Sequence, residues 1–86
     1  MVYNIVYKKS VERDLKNISK AEAAKILERI EADLSGKPET FPLMKGYFAG
    51  LRKYRVGDYQ VIYAILGSDV LILRIGHWRE VYRRKT

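Results

Sequence analysis

The run Leu51-Arg52-Lys53-Tyr54-Arg55-Val56-Gly57-Asp58-Tyr59-Gln60-Val61-Ile62-Tyr63-Ala64-Ile65-Leu66 holds two β-prone segments joined by a glycine-led dipeptide. Gly57-Asp58 suits a two-residue hairpin turn, because glycine reaches the positive φ that such turns need. Alternation along the first segment puts Leu51, Lys53 and Arg55 on one face and Arg52, Tyr54 and Val56 on the other. Tyr59–Leu66 reads as a buried strand, with Tyr59 and Tyr63 on one face and assigned to core packing. Gly67-Ser68-Asp69 makes the next turn, and Val70–His77 supplies the third strand of an antiparallel meander.

Upstream, Val2-Tyr3-Asn4-Ile5-Val6-Tyr7 is dense in β-branched and aromatic residues and reads as a strand. Val11, Leu15 and Ile18 then fall at i, i+4 and i+7, one apolar stripe on a short helix that Ser10 is expected to cap with its hydroxyl. Ser19-Lys20-Ala21-Glu22 matches a capping box, and Ala23, Ile26, Leu27, Ile30 and Leu34 carry a second helical stripe until Gly36 and Pro38 end it. The charges on that helix read as a solvated face. Residues 36–50 contain both prolines and three of the six glycines with no sustained period, and so form a loop. The order is an N-terminal strand, two helices and an antiparallel three-stranded meander. It amounts to one α+β domain over residues 1–86, in which the helices cover one face of the sheet.

With 86 residues, the chain has room for one small core, which excludes a two-domain enzyme. It has no cysteine and one histidine, so neither a Cys-rich zinc cluster nor a two-histidine acid–base pair is available. The longest apolar run, Val61–Leu66, is far short of the roughly 20 residues that span a bilayer. A soluble cytoplasmic protein, not engaged with a membrane, is the expectation. The net charge is +7 and unevenly placed: residues 1–43 carry 8 basic and 7 acidic side chains, residues 44–86 carry 9 and 3. The electropositive second half points toward a polyanion or an acidic protein partner.

If Tyr54 and Val56 point to the core, Lys53 and Arg55 face out together. Arg79, Tyr82 and Arg83 then reach the neighbourhood of the same sheet face. Cations interleaved with aromatic rings suit phosphates and unstacked bases. The competing reading is that a Lys/Arg-rich strand guards a sheet edge against aggregation.

Arg55-Val56-Gly57-Asp58-Tyr59-Gln60-Val61-Ile62-Tyr63, followed by Ile75-Gly76-His77-Trp78-Arg79-Glu80-Val81-Tyr82-Arg83, resembles the paired signature of the RelE/ParE toxin superfamily, in its RelE branch. The resemblance covers nearly the whole chain. It implies a compact microbial-ribonuclease-like fold and a type II toxin–antitoxin toxin. Such a toxin is a ribosome-dependent endoribonuclease that cuts mRNA in the A site, inhibits translation and is neutralised by a RelB-like antitoxin. It also implies Lys53, Arg55, Arg79 and Tyr82 as catalytic residues, with Arg52, Gln60, His77, Trp78, Arg83 and Arg84 contacting RNA, and no metal or other cofactor. Two positions depart from the pattern: the family often has arginine where this chain has Gln60, and many relatives read Gly-His-Arg-Arg where this chain reads Gly76-His77-Trp78-Arg79.

In the mechanism so implied, Arg55 and Arg79 stabilise charge, since guanidinium does not deprotonate. Tyr82 is the candidate base and Lys53 the candidate acid. His77, with a reference pKa of about 6.5, is the other conceivable base, but at the end of an apolar strand its ring is assigned first to packing with one nitrogen satisfied by backbone. Trp78 either caps the small core or stacks on a base. The alternatives are a ParE-like inhibitor of DNA gyrase on the same fold, and a weakened RelE relative that serves as a binding module. An antitoxin segment is expected to be acidic and partly helical, lying over the basic second half and an apolar groove.

Overall fold

The structure of the protein, a computed structural model, describes residues 2–81. Strand β1 (Asn4–Tyr7) leads into helices α1 (Ser10–Lys16) and α2 (Lys20–Leu34). After two 3-10 turns (Pro38–Thr40 and Gly46–Phe48) come strands β2 (Arg52–Val56), β3 (Tyr59–Leu66) and β4 (Asp69–His77), and a helical turn α3 (Trp78–Val81). The meander expected from sequence is present, with β2–β3 and β3–β4 antiparallel. β1 adds to it beside β4 in parallel, giving a mixed sheet of order β1-β4-β3-β2. The two hairpin turns are led by Gly57 (φ 59°) and Gly67 (φ 62°), a conformation that costs glycine nothing. The second turn is one residue shorter than the sequence reading: Asp69 already pairs with Leu66.

Capping agrees with expectation at one helix and departs from it at the other. The Ser19 hydroxyl accepts the Glu22 N–H at 3.3 Å, satisfying one of the free donors that open α2. Ser10 does not cap α1. Lys9 holds the N-cap position with helical dihedrals (φ −56°, ψ −37°), so Ser10 is already inside the helix, with no side-chain cap. The chain turns early because Lys8 still donates to the Ile72 carbonyl of β4, and the Lys8 and Lys9 carbonyls accept the first N–H groups of the turn.

Both helices lie on one face of the sheet. Val11, Ile26, Ile30 and Leu34 are fully buried against Val61, Tyr63, Val70 and Ile72, with Tyr54, Val56 and Ile75 completing the cluster. Each such aliphatic side chain contributes about 1.5 to 3 kcal/mol by burial. β4 reaches the core at Val70, Ile72 and then Ile75, which strict alternation forbids. A register shift permits it: Ile62 faces Arg74 and Tyr63 faces Ile72, leaving Leu73 as an extra residue. Asp14 of α1 accepts the Ile75 N–H at 3.0 Å at this irregularity.

The segment read as a long loop is a second layer. Met44 is buried against Ile62 on the sheet face opposite the helices, with Phe48, Leu51 and Leu73 packed beside them. Leu43 bridges Arg52, and the Lys53 N–H donates to the Pro42 carbonyl at 3.1 Å, covering the first half of the β2 edge. The end of that face nearest the β2–β3 turn stays open.

A cationic aromatic cleft at the edge of the sheet

Alternation along β2 runs as the sequence implied: Tyr54 and Val56 enter the core, so Lys53 and Arg55 share the opposite face. Arg52 points with Tyr54, and its Nη1 donates to the carbonyls of Glu39 (3.1 Å) and Phe41 (2.7 Å), where it ties down the loop. That geometry gives Arg52 a structural task on the helix side, away from Lys53 and Arg55.

The β2–β3 turn and the end of β4 bring Trp78 onto the Arg55 side. The Trp78 backbone N–H donates to the Asp58 carbonyl at 3.0 Å, and Arg55 Nε donates to the Gly57 carbonyl at 3.0 Å, so the Trp78 backbone and the Arg55 side chain are anchored to one tight turn. The Arg55 guanidinium carbon lies 5.6 Å from the Trp78 ring centroid and that of Arg79 lies 5.4 Å from it. Both distances fall in the range of cation–π attraction, about 0.5 to 1 kcal/mol each at exposed sites. His77 stacks beside the indole at 6.1 Å, meets Tyr59 edge-on at 6.2 Å, and accepts the Arg79 N–H on Nδ1 at 3.3 Å. A packed ring with one nitrogen satisfied by backbone is the arrangement the sequence reading assigned to His77. Of the two roles foreseen for Trp78, capping the core is not what the structure shows: the residue belongs to neither core cluster, and two guanidinium groups lie against its ring.

Gln60 is 4% exposed and sits directly between Arg55 on β2 and Gly76 on β4. Together with Lys53, Arg55 and Trp78 it lines a cleft of about 580 Å³. The other wall was not foreseen from the sequence. It comes from Phe41 and Pro42 and from Arg29 and Asp33 of α2, with Tyr54 at the back. Because β2 is an edge strand, the cleft wraps around it and meets side chains from both faces. The Tyr54 hydroxyl donates to Asp33 Oδ2, the Phe41 ring packs edge-on at 4.9 Å, and Arg29 pairs with the same carboxylate oxygen at 3.5 Å. Burial first, and the Asp33 bond second, push the Tyr54 phenol above its ordinary value. The one signal for this wall in the sequence is the i,i+4 spacing of Arg29 and Asp33.

Electrostatically the cleft is incomplete. Among the described residues the ion pairs are Arg29–Asp33 and Arg74–Asp14, so no described carboxylate neutralises Lys53, Arg55 or Arg79. Cations gathered at one end of a sheet without a counterion suit an anion with delocalised charge, and guanidinium groups suit phosphate oxygens. Among the described residues no three His, Asp or Glu side chains come together as metal ligands. No described helix is long and apolar enough to cross a membrane. Tyr82, Arg83 and Arg84, which the sequence placed beside Arg79, lie outside the described residues.

The fold is shared with solved toxin structures. The toxin–antitoxin complex RelBE2 from Mycobacterium tuberculosis superposes with a TM-score of 0.81 at 27% identity, covering 90% of this chain and 99% of that one. The archaeal RelE–RelB complex from Pyrococcus horikoshii superposes at 0.62 with 28% identity, covering 90% and 96%. The chromosomal ParDE system from P. aeruginosa superposes at 0.68 with 17% identity, covering 88% and 96%, a likeness of fold. No curated protein matches this sequence. Residues 5–82 match the family model described as the ParE toxin of the type II toxin–antitoxin system parDE. The chain therefore belongs to the ParE toxin family, and is a type II toxin of the RelE/ParE superfamily.

Proposed function

We propose that this toxin acts as a RelE-type mRNA interferase in the cytoplasm: a ribosome-dependent endoribonuclease that cuts mRNA in the ribosomal A site and is held inactive by a RelB-like antitoxin. The observation that carries this reading is the convergence of Arg55 and Arg79 on Trp78, with Lys53 on the same strand face as Arg55 and none of the three paired with a described carboxylate, beside a cleft of about 580 Å³. Support also comes from the RelE–RelB complexes, which match this chain at 27% and 28% identity.

Cleavage needs no outside reagent. The ribose 2′-oxygen attacks phosphorus, its bond to phosphorus forms as the P–O5′ bond breaks, and the products are a 2′,3′-cyclic phosphate and a free 5′-hydroxyl. Arg55 and Arg79 lie where they can hold the charge gained by the phosphorane. Lys53 donates the proton that the departing 5′-oxygen needs, and Tyr82 accepts the proton of the 2′-hydroxyl. With a reference pKa near 10, only about one tyrosine in a thousand is ionised at neutral pH. The groups are therefore poor acids and bases, and the ribosome supplies alignment, the largest factor left.

The family model's description favours a second reading, inhibition of DNA gyrase by binding. Primer extension on mRNA after induction, with a parallel reaction on purified ribosomes, separates them. Codon-phased cuts support the interferase. Intact mRNA with trapped gyrase selects the gyrase inhibitor, and neither effect leaves a binding module weakened at Gln60 and Trp78.

A further inference from the structure

We infer that Trp78 is a positioning residue for a phosphate site: its indole holds Arg55 and Arg79 together so that both guanidinium groups meet one stretch of RNA backbone. The inference rests on the functional reading above and concerns how this chain, with an aromatic ring at a position where the family often has a cation, still builds a cationic centre.

The argument starts from repulsion. Arg55 comes from β2 and Arg79 from α3, and two guanidinium groups brought near each other without a counterion repel. No described carboxylate separates them. Both lie against the Trp78 ring, its centroid 5.6 Å from one guanidinium carbon and 5.4 Å from the other. The negative face of an indole attracts each cation, and it attracts them most strongly among the aromatic side chains. The Trp78 backbone N–H is bound to the Asp58 carbonyl, in the turn whose Gly57 carbonyl fixes Arg55 Nε, and His77 stacks beside the ring. The Arg79 backbone is held as well, its N–H bound to His77 Nδ1, and its guanidinium rests against the ring. Two cations are thus ordered before RNA arrives, which removes part of the entropy cost of gathering them around a phosphate. A nucleobase stacking on Trp78 competes with these two guanidinium contacts, so the indole is assigned to ordering the cations that meet the RNA backbone.

This assignment reverses the expected outcome of the obvious repair. If Trp78 were a lost arginine, Trp78→Arg would raise RNA affinity; if it organises Arg55 and Arg79, Trp78→Arg sets a third cation against two and lowers it. The test uses the full chain with a 2′-O-methyl RNA hexamer, which binds without being cut, and inorganic phosphate as a control. Trp78 is the single tryptophan, so its fluorescence reports on the site directly. The expected results are a fluorescence change on hexamer binding, a loss of affinity of about 5-fold or more in Trp78→Leu and Trp78→Arg, and substantial recovery in Trp78→Phe, which keeps a ring. Circular dichroism confirms that each variant is folded, and removing Arg55 or Arg79 in the Trp78→Leu background should cost less than it does in the wild type. Wild-type affinity in Trp78→Leu, a gain in Trp78→Arg, or strict additivity with both arginines overturns the inference. Failure of ribosomal cleavage with this ranking of binding intact would overturn the functional reading and leave the positioning role standing. An equal response to inorganic phosphate and to the hexamer would overturn the assignment to RNA backbone.

Discussion

The Tyr54 hydroxyl donates a hydrogen bond to the Asp33 carboxylate, fastening edge strand β2 to the last turn of α2 immediately behind Lys53 and Arg55. An edge strand has a neighbour on one side only, so this bond and the Phe41 contact stand in for the missing strand. Tyr54→Phe keeps the ring and its packing and removes one bond to a charged group, a loss of about 1.5 kcal/mol. Urea unfolding should show that loss with an unchanged m-value. A double-mutant cycle with Asp33→Ala should return a coupling of at least about 0.5 kcal/mol; additive losses would mean the bond adds nothing.

Tyr63 makes alkaline pH the weak side of this fold. Its side chain is fully buried, its hydroxyl donates to the Pro38 carbonyl at 2.6 Å, and burial pushes the phenol up to about 12. The folded-state value lies above the unfolded one of about 10, so the stabilisation is whole below pH 10 and is lost as pH rises from 10 through 12. Tyr7 shifts the same way, through burial first and then the neighbouring Glu31. Tyr63→Phe should flatten the fall in stability between pH 10 and 12 while costing about 1 to 3 kcal/mol at neutral pH, because the Pro38 carbonyl loses its donor. An equally steep fall in the variant would place the alkaline sensitivity elsewhere.

The hairpin run announced most of this architecture because its signals are local. Glycine-led turns, the Ser19 cap and the alternation that turns Lys53 and Arg55 outward each depend on residues within a few positions of one another. What was hidden depends on partners distant in sequence. The parallel pairing of β1 with β4 leaves no mark in either strand, and the extra residue at Leu73 is visible only once Ile62 and Tyr63 choose their partners. Ser10 looked like a cap because the residue type is right, but the Lys8 bond to Ile72 starts the helix a residue earlier. The cleft showed the same division. Its cations were legible from β2, whereas Arg29 and Asp33 looked like an ordinary solvated pair until α2 was seen to lie along the sheet edge.

Gln60 gives a case in which restoring a family residue should do harm. Gln60 is 4% exposed, and with Arg55 directly opposite the position already faces a positive charge. Gln60→Arg therefore sets like charges directly opposite each other across the strands, a cost of up to about 1 kcal/mol. For a chain this size each kcal/mol lowers Tm by about 4 to 8 °C. An unchanged melting temperature with faster cleavage would show that position 60 opens to the substrate and that its charge was what the site lacked.

Tyr82 carries the proton step of the proposed chemistry on sequence grounds. Tyr82→Phe removes the hydroxyl alone, so ribosomal cleavage should fall about 10²-fold or more while ribosome binding is retained. Codon-phased cutting at the wild-type rate would remove Tyr82 from the catalytic set and leave Lys53, His77 or the ribosome as the proton carrier.

The cations of the second half should not contribute equally to RNA binding, and their pairing says which ones count. Lys53 and Arg55 face the cleft without a described carboxylate, whereas Arg74 on β4 is paired with Asp14 at 3.4 Å, and that carboxylate is held by the Ile75 N–H as well. A cation that neutralises a phosphate releases a counterion, so removing it reduces the slope of log affinity against log salt by about 0.7 on single-stranded RNA. Lys53→Ala and Arg55→Ala should each lower the slope by about that amount. Arg74→Ala removes the same charge but leaves the slope nearly unchanged, since Arg74 is engaged before RNA arrives. Equal slopes for all three variants would mean that the toxin senses only its net charge of +7, and that the open end of the sheet is a guarded edge with no RNA site on it.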